Sequence, residues 1–220
     1  MSESKSCCCG CSGPRGPLFA GSEGVPSDAV VLFDGKDLSH WVKRGSDEPA
    51  QWKVADGVME VVPKTGDICS KERFTDFQLH VEFWLPLMAD CKGQARANSG
   101  VYLQGRYECQ VLDSYGLDSK DDDCGGFYRL AAPKVNANRP PENWQTYDIF
   151  FRAPRYNEFN FKTQNARASV VLNGVWIHHD LEIPQPTPGA MDQECHEPGP
   201  VLLQDHGNLI RFRNIWIRPL

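Results

Sequence analysis

The sequence predicts an all-β fold, an antiparallel two-sheet sandwich or jelly roll. Three observations carry this. Apolar residues alternate with a period of two along most of the chain, Asp-Gly and Asn-Gly pairs punctuate the alternating runs, and no run of ten or more residues keeps a helical period without a Gly or Pro break. About ten to thirteen strands in about 190 residues, in one series with no repeat, match the strand spacing of sandwiches and jelly rolls. A parallel α/β fold is excluded because its crossover helices are missing.

The elements follow in order. AVVLFDGKDLSHWV (29–42) opens the folded part, with a turn at Asp34-Gly35. QWKVADGVMEVV (51–62) is a hairpin turning at Asp56-Gly57. DFQLHVEFWLP (76–86) places Phe77, Leu79, Val81, Phe83 and Leu85 on one face and Gln78, His80, Glu82 and Trp84 on the other, a long strand with one dry face. LMADCKGQARA (87–97) reads as a loop, and NSGVYLQGRYECQVLDSYG (98–116) as two strands around Gly105. Residues 118–143, rich in Asp, Gly, Asn and Pro, form a long connection of the kind that often carries function. WQTYDIFFRAP (144–154) is a strand, residues 166–183 a hairpin turning at Asn173-Gly174, and 184–200 a second long loop. Residues 201–220 give two strands around Asp205 to Asn208.

The 220 residues suit one sandwich domain over 29–220, preceded by a Cys/Gly/Ser-rich leader over 1–28. A net charge of −6, with no run of Lys or Arg longer than two, lacks the footprint of a nucleic-acid or anionic-membrane binder. No apolar stretch of 18 residues exists to span a membrane, and the first 25 residues show no apolar segment of a secretory signal. Cys7, Cys8, Cys9 and Cys11 pose a choice between a soft-metal site and a processed or disordered tail. The other five cysteines are spread without C-x-x-C spacing and allow at most two disulfides. Cys109, in an apolar strand pattern, reads as a small buried hydrophobe.

After Gly105, Arg106, Glu108 and Gln110 share one strand face, while Tyr107, Cys109 and Val111 share the other. Tyr102 and Gln104 alternate likewise with Val101 and Leu103. Paired, the strands would present a platform of Tyr, Gln, Arg, Glu and Gln, which is either a solvated exterior face with Arg106 and Glu108 as an ion pair or the lining of a site. Strict alternation sends Asp113 toward the apolar side, so either the strand ends before it or a bulge returns it toward Glu108. A bulge would set two carboxyl groups side by side, splitting their acidities into acid and base. His206, in a turn between the last strands, reads either as an exposed turn residue or as a proton carrier reaching a site at the sheet edge. His178 and His179 read as hairpin surface. His80, Glu82 and Trp84 read as an exposed edge, with sugar stacking as the alternative. No metalloprotease, phosphate-loop, dinucleotide or serine-hydrolase motif is present.

Taken in order, LFDGKDLSHW, W-x-V-x-D-G-x-M, S-K-E-R-F-T-D-F-Q-L-x-V-E-F, NSGVYLQGRYECQVLDS, CGGFY, NWQTYDIFFRAPR, LNGV and LLQDHGNLIRFRNIWI resemble the 3-keto-disaccharide hydrolase domain family over about residues 29 to 220. The resemblance implies a jelly roll similar to concanavalin A-like lectins and glucanases, activity on glycosides oxidised to a 3-ketone, and an extracytoplasmic location. Laminarinase-type relatives of that fold carry E-x-D-x-x-E, whereas this chain reads E-x-Q-x-x-D at Glu108, Gln110 and Asp113, so a two-carboxylate glycosidase mechanism is not assured. A 3-ketone acidifies the hydrogen on C2, and one base with a donor for the ketone oxygen suffices for elimination followed by hydration.

On this resemblance Glu108 or His206 is the base, and Asp113 its partner or the acid for the leaving oxygen. Arg106, Gln110, Tyr102 and Gln204 hold hydroxyls and ketone, with Asn98 and Gln104 beside them, and Tyr128 closes over the sugar. No cofactor is predicted; a divalent metal would assist enolate formation, but no ligand spacing points to one. Two other classes stand against the enzyme. A carbohydrate-binding module predicts an aromatic groove with distant carboxylates, and a protein-interaction domain predicts a large exposed apolar patch.

Overall fold

The computed structural model describes residues 24–220, so the Cys7, Cys8, Cys9 and Cys11 cluster and most of the 1–28 leader lie outside the described residues. Fifteen strands are present among them, more than the pattern suggested: β1 (Val30–Phe33), β2 (Trp41–Lys43), β3 (Lys53–Ala55), β4 (Val58–Glu60), β5 (Ile68–Ser70), β6 (Phe77–Trp84), β7 (Asn98–Leu103), β8 (Tyr107–Leu112), β9 (Trp144–Arg152), β10 (Arg155–Tyr156), β11 (Lys162–Gln164), β12 (Ala166–Leu172), β13 (Val175–Ile183), β14 (Leu202–Leu203) and β15 (Arg211–Pro219). The additions are short. β5, β10 and β11 have two or three residues each, too few for alternation to show.

All pairings are antiparallel. One sheet runs β13-β12-β9-β6-β15-β4-β3 with β1 also against β15, the second runs β2-β5-β14-β7-β8, and β10 with β11 forms a separate ribbon. The three hairpins expected from their turn residues form with both turn positions at positive φ: Asp56 (52°) and Gly57 (78°), Gln104 (52°) and Gly105 (67°), Asn173 (53°) and Gly174 (84°). That left-handed pair matches the twist of the flanking strands.

The two sheets share one apolar core. Phe77, Leu79, Val81 and Phe83 of β6 and Tyr147, Ile149 and Phe151 of β9 meet Val101 and Leu103 of β7, Cys109 and Val111 of β8, and Leu203 of β14, all buried. The alternation therefore fixes the inner face of the small sheet, and by elimination turns Tyr102 and Glu108 away from the core. Cys69, Cys91, Cys109, Cys124 and Cys195 are free thiols, and Cys109 is fully buried as expected. Among the described residues no helix is long and apolar enough to cross a membrane.

Two expectations are overturned here. His80 does not lie on an exposed edge: β6 is an inner strand, and His80 is fully buried, stacked on Trp216 at 5.1 Å. Its Nδ1 meets Asp148 Oδ1 at 2.9 Å and its Nε2 lies 3.7 Å from Glu82 Oε1. Burial opposes its charge, but these two carboxylates prevail and raise its pKa. His178 is not hairpin surface either. It is buried, edge-on to Phe127 at 5.4 Å, with Nε2 2.8 Å from the Gly125 carbonyl, because the Gly125–Phe127 segment covers β13 there. Replacing His80 by Ala strands the buried Asp148 carboxylate, while Glu82 keeps Arg213 and Asn214, and we predict a loss of about 3 kcal/mol in urea unfolding, where an unchanged midpoint would show that the imidazole holds nothing.

Candidate active site

A hollow of about 150 Å³ opens on the face of the five-stranded sheet turned away from the core. Its lining is Gln94, Asn98, Tyr102, Glu108, Gln110, Tyr128, Pro188, Gly189, Gln204 and His206. Strand pairing makes the floor: Tyr102 of β7 sits opposite Glu108 of β8, and Gly100 opposite Gln110. Gly100 is required there. A Cβ at that position would run into the Glu108 carboxylate and the Tyr102 ring, so the carboxylate occupies space that only glycine leaves.

The walls are loops pinned to these strands. The long connection after β8 returns along it: Gly125 N–H donates to the Gln110 carbonyl (2.9 Å), Gln110 N–H to the Gly126 carbonyl (2.9 Å), and Tyr128 N–H to the Glu108 carbonyl (3.2 Å), which sets Tyr128 at the rim. The loop between β13 and β14 crosses on the other side. Thr187 accepts the Glu108 N–H on its hydroxyl (2.9 Å), and its own N–H donates to the Arg106 carbonyl (3.0 Å). Pro188 and Gly189 thereby form a strap over Tyr102, and a Cβ on Gly189 would lie 2.6 Å from the Tyr102 hydroxyl.

Inside the hollow the polar groups are unevenly satisfied. Gln94 Oε1 accepts from Asn98 Nδ2 and from Gln110 Nε2, each at 3.1 Å, and Gln94 Nε2 donates to the Asp122 carbonyl at 2.6 Å. Gln204 Nε2 donates to the Tyr102 hydroxyl at 3.3 Å. The amide oxygens of Asn98 and Gln204 are buried without a hydrogen-bond partner. Two bare acceptors in a polar hollow call for donors, which hydroxyl groups supply.

Glu108 is 3 % exposed. Burial raises its pKa to about 7; the Tyr102 hydroxyl partly offsets this, and the negative charge of Asp67 adds to it. Burial and the neighbouring Glu108 charge push Tyr102 well above the usual phenol range, so it remains a hydroxyl donor. A carboxyl poised near neutrality beside a fixed donor is the arrangement expected of a general base.

The structure brings together Glu108, His206, Asn98, Tyr102, Gln110, Tyr128 and Gln204, and leaves three sequence-expected residues outside. β8 ends at Leu112, no bulge returns Asp113, and its buried carboxylate pairs with Arg96 at 2.8 Å, off the hydrogen-bonding direction. Arg106 is fully buried beneath the second long loop, with Nε on Asp192 Oδ1 (2.6 Å) and Nη1 on the Glu197 carbonyl (2.7 Å). Gln104 occupies the hairpin turn and donates to the Phe74 carbonyl (2.9 Å). Gln94, Pro188 and Gly189 were missed, since Gln94 lies in a single 3-10 turn (Gly93–Ala95) and the other two in a loop, with no strand period to place them. Glu108 is thus the one carboxyl in the lining. Among the described residues, no group of three or more His, Cys, Asp or Glu is placed to hold a metal ion.

The model of the 3-keto-alpha-glucoside-1,2-lyase-like domain family matches residues 28–218. The chain belongs to this family. It is 23% identical, over an alignment of 249 positions covering 89% of this chain and 81% of the relative, to a 3-keto-disaccharide hydrolase of Bacteroides thetaiotaomicron. A candidate glycosyl hydrolase from Parabacteroides distasonis superposes with a TM-score of 0.82 at 42% identity, over 90% of this chain and 86% of that one. A second from the same organism gives 0.61 at 25% identity, over 87% and 99%. These likenesses support a hydrolase-like, glycoside-cleaving enzyme.

Because its folded pKa lies above the ordinary carboxylate value, Glu108 favours the folded state less as pH rises through about 7. Glu108→Gln should therefore raise stability at pH 8, by on the order of 3 kcal/mol at most, and give no such gain at pH 4. Calorimetry at the two pH values checks this.

Proposed function

We propose that the protein cleaves 3-keto-glycosides, with Glu108 taking the C2 proton. The observation that carries this reading is the single buried carboxyl, with a pKa near 7, in a sugar-sized hollow whose free acceptors suit hydroxyls. One lining carboxyl does not serve a double displacement, which needs two flanking the bond. It does serve an elimination.

In that sequence the Glu108 carboxylate removes the proton on C2, and the electron pair moves toward the C3 ketone to give an enolate. The enolate re-forms the ketone as the C1–O bond breaks, leaving a C1=C2 double bond, and the leaving oxygen takes a proton. His206, exposed at the rim, is the group placed to supply it. Water then adds at C1, giving up a proton to His206, and Glu108, whose acid proton exchanges with solvent once the leaving group departs, protonates C2, so the net change is hydrolysis. Asn98 and Gln204 accept from sugar hydroxyls; the Tyr102 proton is committed to the Glu108 carboxylate, so the Tyr128 hydroxyl is the lining donor for the ketone oxygen. A sugar-binding module has no need of a buried carboxyl titrating near neutrality. The extracytoplasmic location rests on the resemblance.

Purified protein should release the free sugar from a 3-keto-glucoside or 3-keto-trehalose, with kcat/KM falling below a pH of about 7. Glu108→Gln should lower turnover by about 100- to 10,000-fold with the fold intact by circular dichroism. An unchanged rate in that variant removes Glu108 from the mechanism.

A further inference from the structure

Asp67 precedes β5 and is absent from the lining of the hollow, yet its two carboxylate oxygens go to two different walls. Oδ2 accepts from Arg44 Nη1 at 2.9 Å, and Arg44 Nη2 donates onward to the carbonyls of Gly189 and Ala190, each at 2.9 Å. Those carbonyls belong to the strap over Tyr102. Oδ1 accepts the backbone N–H of Asp205 at 2.9 Å. Asp205 in turn accepts the N–H of Gly66 (3.0 Å) and of Gly207 (2.9 Å), closing the turn that carries His206. The Arg44 N–H also donates to the Asp67 carbonyl at 2.8 Å, so the clamp is anchored by backbone as well as side chains.

These bonds are partly buried, with the Asp67 side chain 15% exposed and that of Arg44 32%, apart from the Arg44–Gly189 bond at the surface. Charge-assisted hydrogen bonds in such surroundings are stronger than neutral ones and hold their geometry. Two walls that are 122 residues or more from Asp67 in sequence, Gly189 and Asp205, thereby share one anchor. The charge of Asp67 also reaches the floor of the site, where it opposes ionisation of both Glu108 and Tyr102. The other titratable groups facing Glu108 are Tyr102 on β7, Tyr128 on the long connection and His206 on the turn, with Arg44 behind Asp67.

We infer that Asp67 is a positioning residue of this site: one oxygen, through Arg44, fixes the Pro188–Gly189 strap over Tyr102, and the other fixes the turn that presents His206. Its kinetic consequence rests on the reading of Glu108 as the base, whereas the mechanical coupling of strap and turn does not.

Amide hydrogen exchange on the full chain tests the coupling. Asp67→Ala should speed exchange by about tenfold or more at both the strap amides (Thr187, Ala190, Met191) and the turn amides (Asp205, Gly207). Arg44→Gln should speed the strap and leave the turn as in the parent. Acceleration of only one wall, or of neither, in Asp67→Ala overturns the inference, as does an Arg44→Gln effect on the turn equal to that on the strap.

Asp67→Asn, which keeps an acceptor and removes the charge, carries the test if Asp67→Ala fails to fold. Its Glu108 carboxyl, followed by carbon-13 NMR and assigned with Glu108→Gln, should titrate at lower pH than the parent. A midpoint that is unchanged or higher contradicts the electrostatic half of the inference. Failure of the catalytic reading looks different: Glu108→Gln keeps its turnover while the exchange pattern stands.

Discussion

The site depends on one constraint: a carboxylate is held in a dry position with no cation beside it. Glu108 is placed there because its strand neighbour across β7 is Tyr102 and the next position along is Gly100, which yields the space. An Arg or Lys in contact would stabilise the ion and return its pKa to the ordinary range. The charge that acts on it is instead that of another carboxylate, Asp67, whose own Arg44 is turned toward the strap. The chain carries an unstabilised ion near neutral pH, and on the proposed reading the stability it forgoes is what would make that ion a competent base.

The rest of the fold serves this placement. The large sheet supplies a continuous apolar surface against which Val101, Cys109, Val111 and Leu203 anchor the small sheet. With that face fixed, the pleat leaves Tyr102 and Glu108 nowhere to point but outward. Cys69, Leu202 and Tyr102 then form a second, small apolar cluster, with Met191 of the second loop packed on it. This cluster, together with the Thr187 bonds, holds the strap down over Tyr102. Arg106 contributes from below the same loop through Asp192 and the Glu197 carbonyl. Its role is to hold a wall rather than a substrate.

How much of this was legible in the sequence follows from the range of each signal. A period of two is a local rule, and it placed Tyr102, Glu108 and Gln110 on one outward face because those residues lie within unbroken strands. It failed at the ends of the same strands. Gln104 sits in the two-residue turn, where alternation no longer applies, and Asp113 lies past the last ladder residue, where Arg96 from the preceding loop takes it. Arg106 kept its face but is covered by a loop whose path no periodicity encodes. The same blindness hid Gln94, Gly189, Arg44 and Asp67, which reach the site through loops and long-range hydrogen bonds. His80 was misjudged for a related reason: a polar face looks exposed in sequence, but an imidazole between two carboxylates and an indole can be buried with its bonding satisfied.

The central claim, that Glu108 removes a proton from C2, is tested most directly by running the cleavage of a 3-keto-glucoside in D₂O and examining the released sugar by mass spectrometry and NMR. Deuterium at C2 in the product, absent from unreacted substrate incubated with Glu108→Gln, is the predicted result. Cleavage that leaves hydrogen at C2 and places only solvent oxygen at C1 would contradict it, because bond breaking would then proceed without the enolate.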